Sequence, residues 1–222
     1  MAASEAINID VLDTRLTKQR IEWFCEWTRG GDPNRRILVD GATALDAFLQ
    51  TVKTRVGNNK IGVLSILAHG FGEYMYKDSM KKFEAAIEPG FGVEFGRDNI
   101  VMETVERFKA LKGLFSSAGV GIKLMGCGVA AQYRFRVTPV GREYKQGFGK
   151  DLCKKLAEVT GASVMGSDAL QTVEIDENPK TYRWGSDIQT INSCDRFGKW
   201  EGQVWVFSPN GKVEKFSQPK DQ

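Results

Sequence analysis

The chain has 222 residues, of which 41% are hydrophobic and 27% are charged, and its formal net charge is +3. This composition excludes a largely disordered chain, and the small basic excess gives no reason to expect nucleic acid or a membrane surface as a partner. No apolar run approaches the ~20 residues that a membrane-spanning helix needs.

The cysteine and histidine content argues against a metal site and against a disulfide framework. The four cysteines (Cys25, Cys127, Cys153 and Cys194) form no Cys-x-x-Cys pair, and His69 is the single histidine. The Gly-x-Gly sequences lack the rest of a dinucleotide-binding motif, so we expect neither a metal nor a cofactor. The first residues, MAASEAINID, show no basic segment followed by an apolar one. We therefore expect a cytoplasmic protein with reduced thiols.

Apolar periodicity along the chain predicts strands that alternate with helices. In chain order the predicted elements are a strand at 7–11, a helix at 15–28, a strand at 36–39, a helix at 43–56, a strand at 61–68, a helix at 76–88, a short hairpin or edge strand at 90–96, a helix at 101–115, a strand at 121–126, a hairpin at 132–147, a helix at 148–160, and strands at 162–166 and 203–207. This succession predicts one α/β domain over residues 1–222. About six mostly parallel strands would form a sheet with helices on both faces.

Two chemically active side chains follow two of the predicted parallel strands. His69 follows the apolar strand at 61–68, and Cys127 follows the strand at 121–126. In an open parallel sheet, ligand sites lie at the carboxyl ends of the strands, so the two residues are expected at the same edge. The glycines beside both residues let main-chain amides approach a bound carbonyl. A cysteine nucleophile, an acid/base and an oxyanion hole are therefore predicted there.

These blocks resemble the caspase-like cysteine peptidases of clan CD, which include caspases, metacaspases, legumains, gingipains and separases. The segments that carry the resemblance are IDVLD (9–13), VLSILAHG (63–70), IKLMGCGVA (122–130) and GFGKDLCKKLAEVTGASVMGSD (147–168). The likeness is greatest to uncharacterised bacterial caspase-like domains of large surface proteins. It implies a caspase-like fold and a cysteine endopeptidase that acts on a protein or peptide.

The roles of the family's residues carry over to matching positions. The resemblance implies that Cys127 is the nucleophile, which forms a thioester, and that His69 is the general acid and base. It also implies that the main-chain amides of Gly70 and Cys127 form the oxyanion hole. Family members selective for basic side chains carry an acid two residues before the cysteine, whereas this chain has Met125 there. Arg or Lys specificity therefore has no support from that position.

Other features near the predicted site leave alternatives open. Asp13 and Asp168 follow predicted strands at the same edge and are candidates to line a substrate pocket, although an Asp in such a place more often caps the next element. Segments 71–100 and 131–147 read as insertions on the same side of the sheet. The alternative function is a catalytically silent caspase-like module that binds a protein or small ligand at the strand ends. A further alternative is a flavodoxin-like hydrolase or transferase that uses Cys127 on a non-peptide acyl substrate. The sequence predicts no oligomeric state.

Overall fold

A seven-stranded sheet forms the centre of the protein in the computed structural model, which describes residues 6–17, 35–76, 85–117, 119–133, 136–137, 143–144, 147–169, 171 and 200–217. The strands are β1 (Ala6–Asp13), β2 (Arg36–Val39), β3 (Lys60–Leu67), β4 (His69–Tyr76), β5 (Ala85–Glu94), β6 (Ile122–Met125), β7 (Gln132–Tyr133), β8 (Arg136–Val137), β9 (Glu143–Tyr144), β10 (Gly147–Phe148), β11 (Val164–Ser167), β12 (Val204–Phe207) and β13 (Val213–Phe216). Their order in the sheet is β13-β12-β11-β6-β3-β1-β2.

Five neighbouring strands of this sheet are parallel, and two antiparallel strands extend one edge. β2, β1, β3, β6 and β11 form the parallel part, while β12 pairs antiparallel with β11 and β13 pairs antiparallel with β12. Strands covered on both faces need apolar residues at nearly every position, which explains the continuous apolar run of β3. The mostly parallel α/β sheet that the sequence predicts is confirmed.

Helices cover one face of the sheet in the described part of the chain. These are α1 (Leu45–Val56), a 3-10 helix (Val105–Leu111) and α2 (Gly149–Thr160). The 3-10 helix contacts both α-helices, and all three contribute to one apolar core with the inward side chains of the strands. α2 ends at Gly161, whose φ of 69° is the left-handed conformation that glycine adopts without strain.

The opposite face of the sheet is also buried at the carboxyl ends of the strands. Leu12, Leu67 and Met125, from β1, β3 and β6, are at most 6% exposed and form a second apolar cluster. Leu16 and Trp200 are partly buried against it. Because successive side chains of a strand point to opposite faces, these residues alternate with Val11, Ile66 and Leu124 of the main core. Both faces are therefore covered where the predicted site lies.

The structure corrects several predicted elements. The predicted helix at 76–88 is wrong where the chain is described: Tyr76 ends β4, and 85–88 belong to β5, which pairs antiparallel with β4. The predicted helix at 101–115 is reduced to the 3-10 helix. β13 was not predicted. Most of the predicted helix at 15–28 lies outside the described residues, and Thr14–Thr17 form a 3-10 turn.

The predicted hairpin at 132–147 is represented by two short antiparallel pairs. β7 pairs with β10, and β8 pairs with β9. The excursions formed by β4–β5 and by β7–β10 fall within the segments 71–100 and 131–147, apart from their terminal residues. Within the described residues, no helix has the length and apolar character needed to cross a membrane.

Candidate active site

The pairing of β3 with β6 brings His69 and Cys127 to the same edge of the sheet. Leu67 is paired with Met125 at the ends of these two strands, and His69 and Cys127 each follow two residues later. The pairing continues one step further, because the Ala68 amide donates to the Met125 carbonyl at 3.3 Å. The sequence predicts that the two residues lie at the same edge of the sheet, and the strand order and register show in addition that their strands are neighbours.

The main chains that follow the two strands touch each other. A Cβ built on Gly126 would lie 2.7 Å from the Ala68 carbonyl oxygen and 3.3 Å from the Gly70 nitrogen. A Cβ built on Gly70 would overlap the Cys127 carbonyl group and lie 2.8 Å from its carbon. Side chains of any size at either position would push the two segments apart. The glycines at 70 and 126 are thus required for the close approach of the histidine and cysteine segments.

The Cys127 thiol contacts the main chain of Gln171. Sγ donates to the Gln171 carbonyl at 3.4 Å and accepts from the Gln171 amide at 3.3 Å. The Gln171 side chain anchors this contact, because its amide group bonds the Ala169 carbonyl and both main-chain groups of Glu201, all at 3.0–3.1 Å. Cys127 itself is half-buried. The residue is thus partly exposed, and its sulfur has a fixed amide donor beside it.

The other described cysteine lies in a different environment. Cys153 belongs to α2 and is fully buried in the main core. Burial raises the pKa of its thiol to about 12, since a thiolate there would lose its hydration. Cys153 is therefore a packing residue of the core, while Cys25 and Cys194 lie outside the described residues.

His69 is exposed at the start of β4, and a charged side chain lies opposite it. In the antiparallel pairing of β4 with β5, His69 is the direct partner of Glu94. The Glu94 Oε1 accepts a hydrogen bond from Arg15 Nη1 at 2.9 Å. A carboxylate fixed by an arginine therefore stands across the ladder from the single histidine.

Asp13, which the sequence predicts to line a pocket, is 1% exposed. Both of its carboxylate oxygens accept hydrogen bonds from the protein. It accepts hydrogen bonds from the Arg15 guanidinium at 2.7 and 2.8 Å, from the Arg15 amide and from the Gly96 amide. Burial alone would raise the pKa of Asp13, but the bonds from Arg15 and Gly96 outweigh it, and the pKa lies below its usual value. The same bond to Asp13 raises the pKa of Arg15. Asp13 therefore holds the Arg15 guanidinium in position at the site.

Asp168, the second predicted pocket residue, is bonded to β12. Its Oδ1 accepts from the Gln203 amide at 2.9 Å, and its Oδ2 accepts from Trp205 Nε1 at 3.0 Å. Its own amide donates to the Gln203 carbonyl at 3.1 Å. These bonds fix the turn after β11 to the start of β12. They also set the path of the chain toward Gln171, which contacts the thiol.

Sequence reasoning did not find Arg15, Glu94 or Gln171. The sequence pattern could have indicated Arg15 as a site residue, because Arg15 follows Asp13 at the end of an apolar strand. Glu94 and Gln171 carried no signal in the sequence, since their positions depend on the β4–β5 pairing and on the path of the chain after β11.

Comparison with known proteins does not assign this chain to a family. No protein-family model matches the chain, and no solved structure matches it significantly.

Proposed function

We propose that this chain is a cysteine endopeptidase of caspase-like type, with Cys127 as the nucleophile and His69 as the general acid and base. One observation carries the proposal. The register of β3 against β6 ends in Leu67 and Met125, so that the His69 and Cys127 segments leave neighbouring strands side by side. The contact between Gly70 and the Cys127 main chain supports the same arrangement.

The reaction would proceed through a thioester. His69 takes the proton of the Cys127 thiol, the sulfur attacks the carbonyl carbon of a peptide bond, and the main-chain amides of Gly70 and Cys127 stabilise the negative oxygen. His69 gives a proton to the departing amine, and the carbonyl then forms the thioester with sulfur. Water, activated by His69, attacks the thioester and releases the acid and the free thiol. The substrate is a protein or peptide, and neither metal nor cofactor takes part in these steps.

The finer fold is part of the same proposal. A three-layer caspase-like domain has both faces of its sheet covered, and the burial of Leu12, Leu67 and Met125 opposite the main core supports this. The β4–β5 and β7–β10 segments would then be insertions that lie beside the site. We also propose that Asp13 and Asp168 contribute to a substrate pocket. Both carboxylates already accept hydrogen bonds from the protein.

The test is a screen of fluorogenic peptides with the wild type, Cys127→Ala and His69→Ala. We expect the wild type to cleave at least one peptide and Cys127→Ala to cleave none, because no thioester forms. His69→Ala should be roughly 10²–10⁴-fold slower, the usual contribution of a general acid or base. Cys153→Ala is the matched control, since it removes a thiol from the core and should keep the activity. A substrate that Cys127→Ala processes as fast as the wild type would overturn the proposal.

One observation favours the alternative of a catalytically silent binding module. The thiol is hydrogen-bonded to both main-chain groups of Gln171, so in this structure it is engaged by the protein itself. A module of this kind would bind its protein or small ligand at the strand ends and would lose no turnover in Cys127→Ala. Binding of a peptide that is unaffected by both substitutions, with no cleavage by any variant, would support it.

A further inference from the structure

The ion pairs beside His69 point to a residue that the proposed dyad does not include. Arg15 bonds Asp13 through Nε and Nη2 and bonds Glu94 through Nη1. Asp13 is buried, whereas the side chains of Arg15 and Glu94 are 27% and 38% exposed. Arg15 is thus anchored from one side by a buried carboxylate and presents its other edge to Glu94. The Glu94 side chain is held in place at the surface by this bond.

The β4–β5 pairing places that carboxylate next to the histidine. His69 and Glu94 are directly opposite each other in an antiparallel pair, so their side chains lie on the same face with Cβ atoms about 4.5–5.5 Å apart. An exposed imidazole at this separation can bring a ring nitrogen to the glutamate by rotation about its own side-chain bonds. Arg15 occupies Oε1 of Glu94. The second oxygen, Oε2, has no hydrogen-bond partner within the described part of the chain and can accept an imidazole N–H.

We propose that Glu94 is a positioning residue for His69, accepting a hydrogen bond from one ring N–H so that the other ring nitrogen serves the reaction. This inference rests on the proposed function of His69. The two side chains make no hydrogen bond in this structure, but rotation of the exposed His69 side chain would bring a ring N–H to Oε2 of Glu94 in the free protein. When the imidazolium gives its proton to the leaving amine, the remaining N–H stays on Glu94. Arg15, through its bond to Asp13, holds the carboxylate in place for this.

The charge balance of the cluster supports the assignment. Two carboxylates, Asp13 and Glu94, share one guanidinium, so the group carries a net charge of −1 when all three are ionised. Asp13 accepts two of the three guanidinium bonds, and its own charge is further satisfied by the Gly96 amide. The uncompensated charge therefore lies on Glu94, which faces His69 across the ladder. A carboxylate at this position can accept a hydrogen bond from a ring N–H of His69.

Because His69 is the single histidine of the chain, its ring signals can be observed without overlap from another histidine. With ¹⁵N-labelled histidine, the wild type gives one pair of ring-nitrogen signals, whose shifts report the tautomer of the neutral ring. We expect Glu94→Ala to change the tautomer ratio and Glu94→Gln, which keeps an acceptor without the charge, to lie between it and the wild type. Glu106→Ala is the matched control, because Glu106 bonds Lys155 at 2.9 Å in a comparable exposed ion pair and does not face His69. An unchanged tautomer ratio in Glu94→Ala would overturn the proposal.

The kinetic readout separates positioning from mere stability. With a cleavable peptide, Glu94→Ala should lower kcat at least about 10-fold while KM stays within about twofold, since the residue orients the ring without touching substrate. Thermal unfolding of each variant shows whether the fold is intact, and Glu94→Gln replaces Glu94→Ala if the latter does not fold. An unchanged kcat would also overturn the proposal. The tautomer measurement needs no activity, so it remains decisive even where Cys127→Ala shows that the dyad assignment has failed.

Discussion

Gly70 lies against the main chain of Cys127 so closely that a Cβ on Gly70 would overlap the Cys127 carbonyl group, with its carbon only 2.8 Å away. Carbon atoms that are not bonded to each other do not approach so closely without displacing one of the chains. The contact fixes the distance between the segment that carries His69 and the segment that carries the thiol. A methyl group at position 70 is therefore a sensitive probe of the site.

We predict that Gly70→Ala separates the two strand ends. The free energy of unfolding should fall by about 1–3 kcal/mol, the usual cost of overpacking, and peptide cleavage should fall more than stability alone explains. Urea unfolding and kcat/KM with one fluorogenic peptide measure the two effects. Gly41→Ala is the control, because a Cβ there would meet only the Arg15 side chain, at 3.8 Å. Equal behaviour of the two variants would contradict the importance of the contact.

We predict that iodoacetamide modifies Cys127 far faster than Cys153. Only the thiolate reacts, and with a pKa of about 12 a fully buried Cys153 has roughly one thiolate in 10⁴ at pH 8. Cys127 is half-buried and has an amide donor at its sulfur. Peptide mapping by mass spectrometry after brief alkylation measures both sites in the same sample. Alkylation of Cys127 no faster than that of Cys153 would argue against a nucleophile at this position.

The same measurement tests whether Gln171 restrains the thiol. We expect Gln171→Ala to speed the alkylation of Cys127 several-fold, because its side-chain amide anchors the main-chain groups that contact the sulfur. Gln203→Ala is the matched control: that side chain bonds the Val204 carbonyl and makes no contact with Cys127. Identical alkylation rates in the two variants would show that the contact to Gln171 does not limit access.

We predict a pH-dependent contribution of Asp13 to stability. Its pKa in the folded protein is below its usual value, so the folded state binds fewer protons than the unfolded state in acid. The stabilisation is therefore complete above the unfolded pKa of about 4 and is lost as the pH falls through the lower folded pKa. Asp13→Asn should reduce the free energy of unfolding by about 2 kcal/mol at pH 7, the scale of charge-assisted hydrogen bonds.

The difference between Asp13→Asn and the wild type should shrink when urea unfolding is repeated at steps from pH 5 down to the acid limit of the folded protein. Asp46→Asn serves as the control, because Asp46 is 75% exposed and its ion pair with Arg107 spans 3.9 Å. A surface pair of this kind contributes little, so the control should change by less than about 1 kcal/mol at any pH. A difference for Asp13→Asn that is the same at pH 7 and in acid would contradict the ionic origin of the effect.

The sequence by itself determined the elements whose apolar pattern is strong. The apolar run of β3 and the helical spacing of Leu45, Phe48, Leu49 and Val52 in α1 were predicted within about two residues at each end. Such patterns are local: the strand period of two and the helix period of 3.6 are set by backbone geometry alone. The expectation that His69 and Cys127 lie at the same edge of the parallel sheet followed from the same pattern. It needed only the alternation of strands and helices.

The tertiary structure decided the elements whose local preference is weak or misleading. The segment at 76–88 is rich in charged residues and alanine, which favour a helix, yet 85–88 belong to β5. Pairing with β4 overrides that preference, because hydrogen bonds across a ladder depend on a partner strand and not on neighbouring residues.

The same reason separates the two parts of the site. The positions of His69 and Cys127 follow from strand ends that can be read along the chain, but Glu94 and Gln171 reach the site from strands and turns distant in sequence. Glu94 stands opposite His69 only through the antiparallel register of β4 and β5, and Gln171 meets Cys127 across 44 residues of chain. No local periodicity encodes a contact of that kind, since its geometry exists only when the intervening segments have folded.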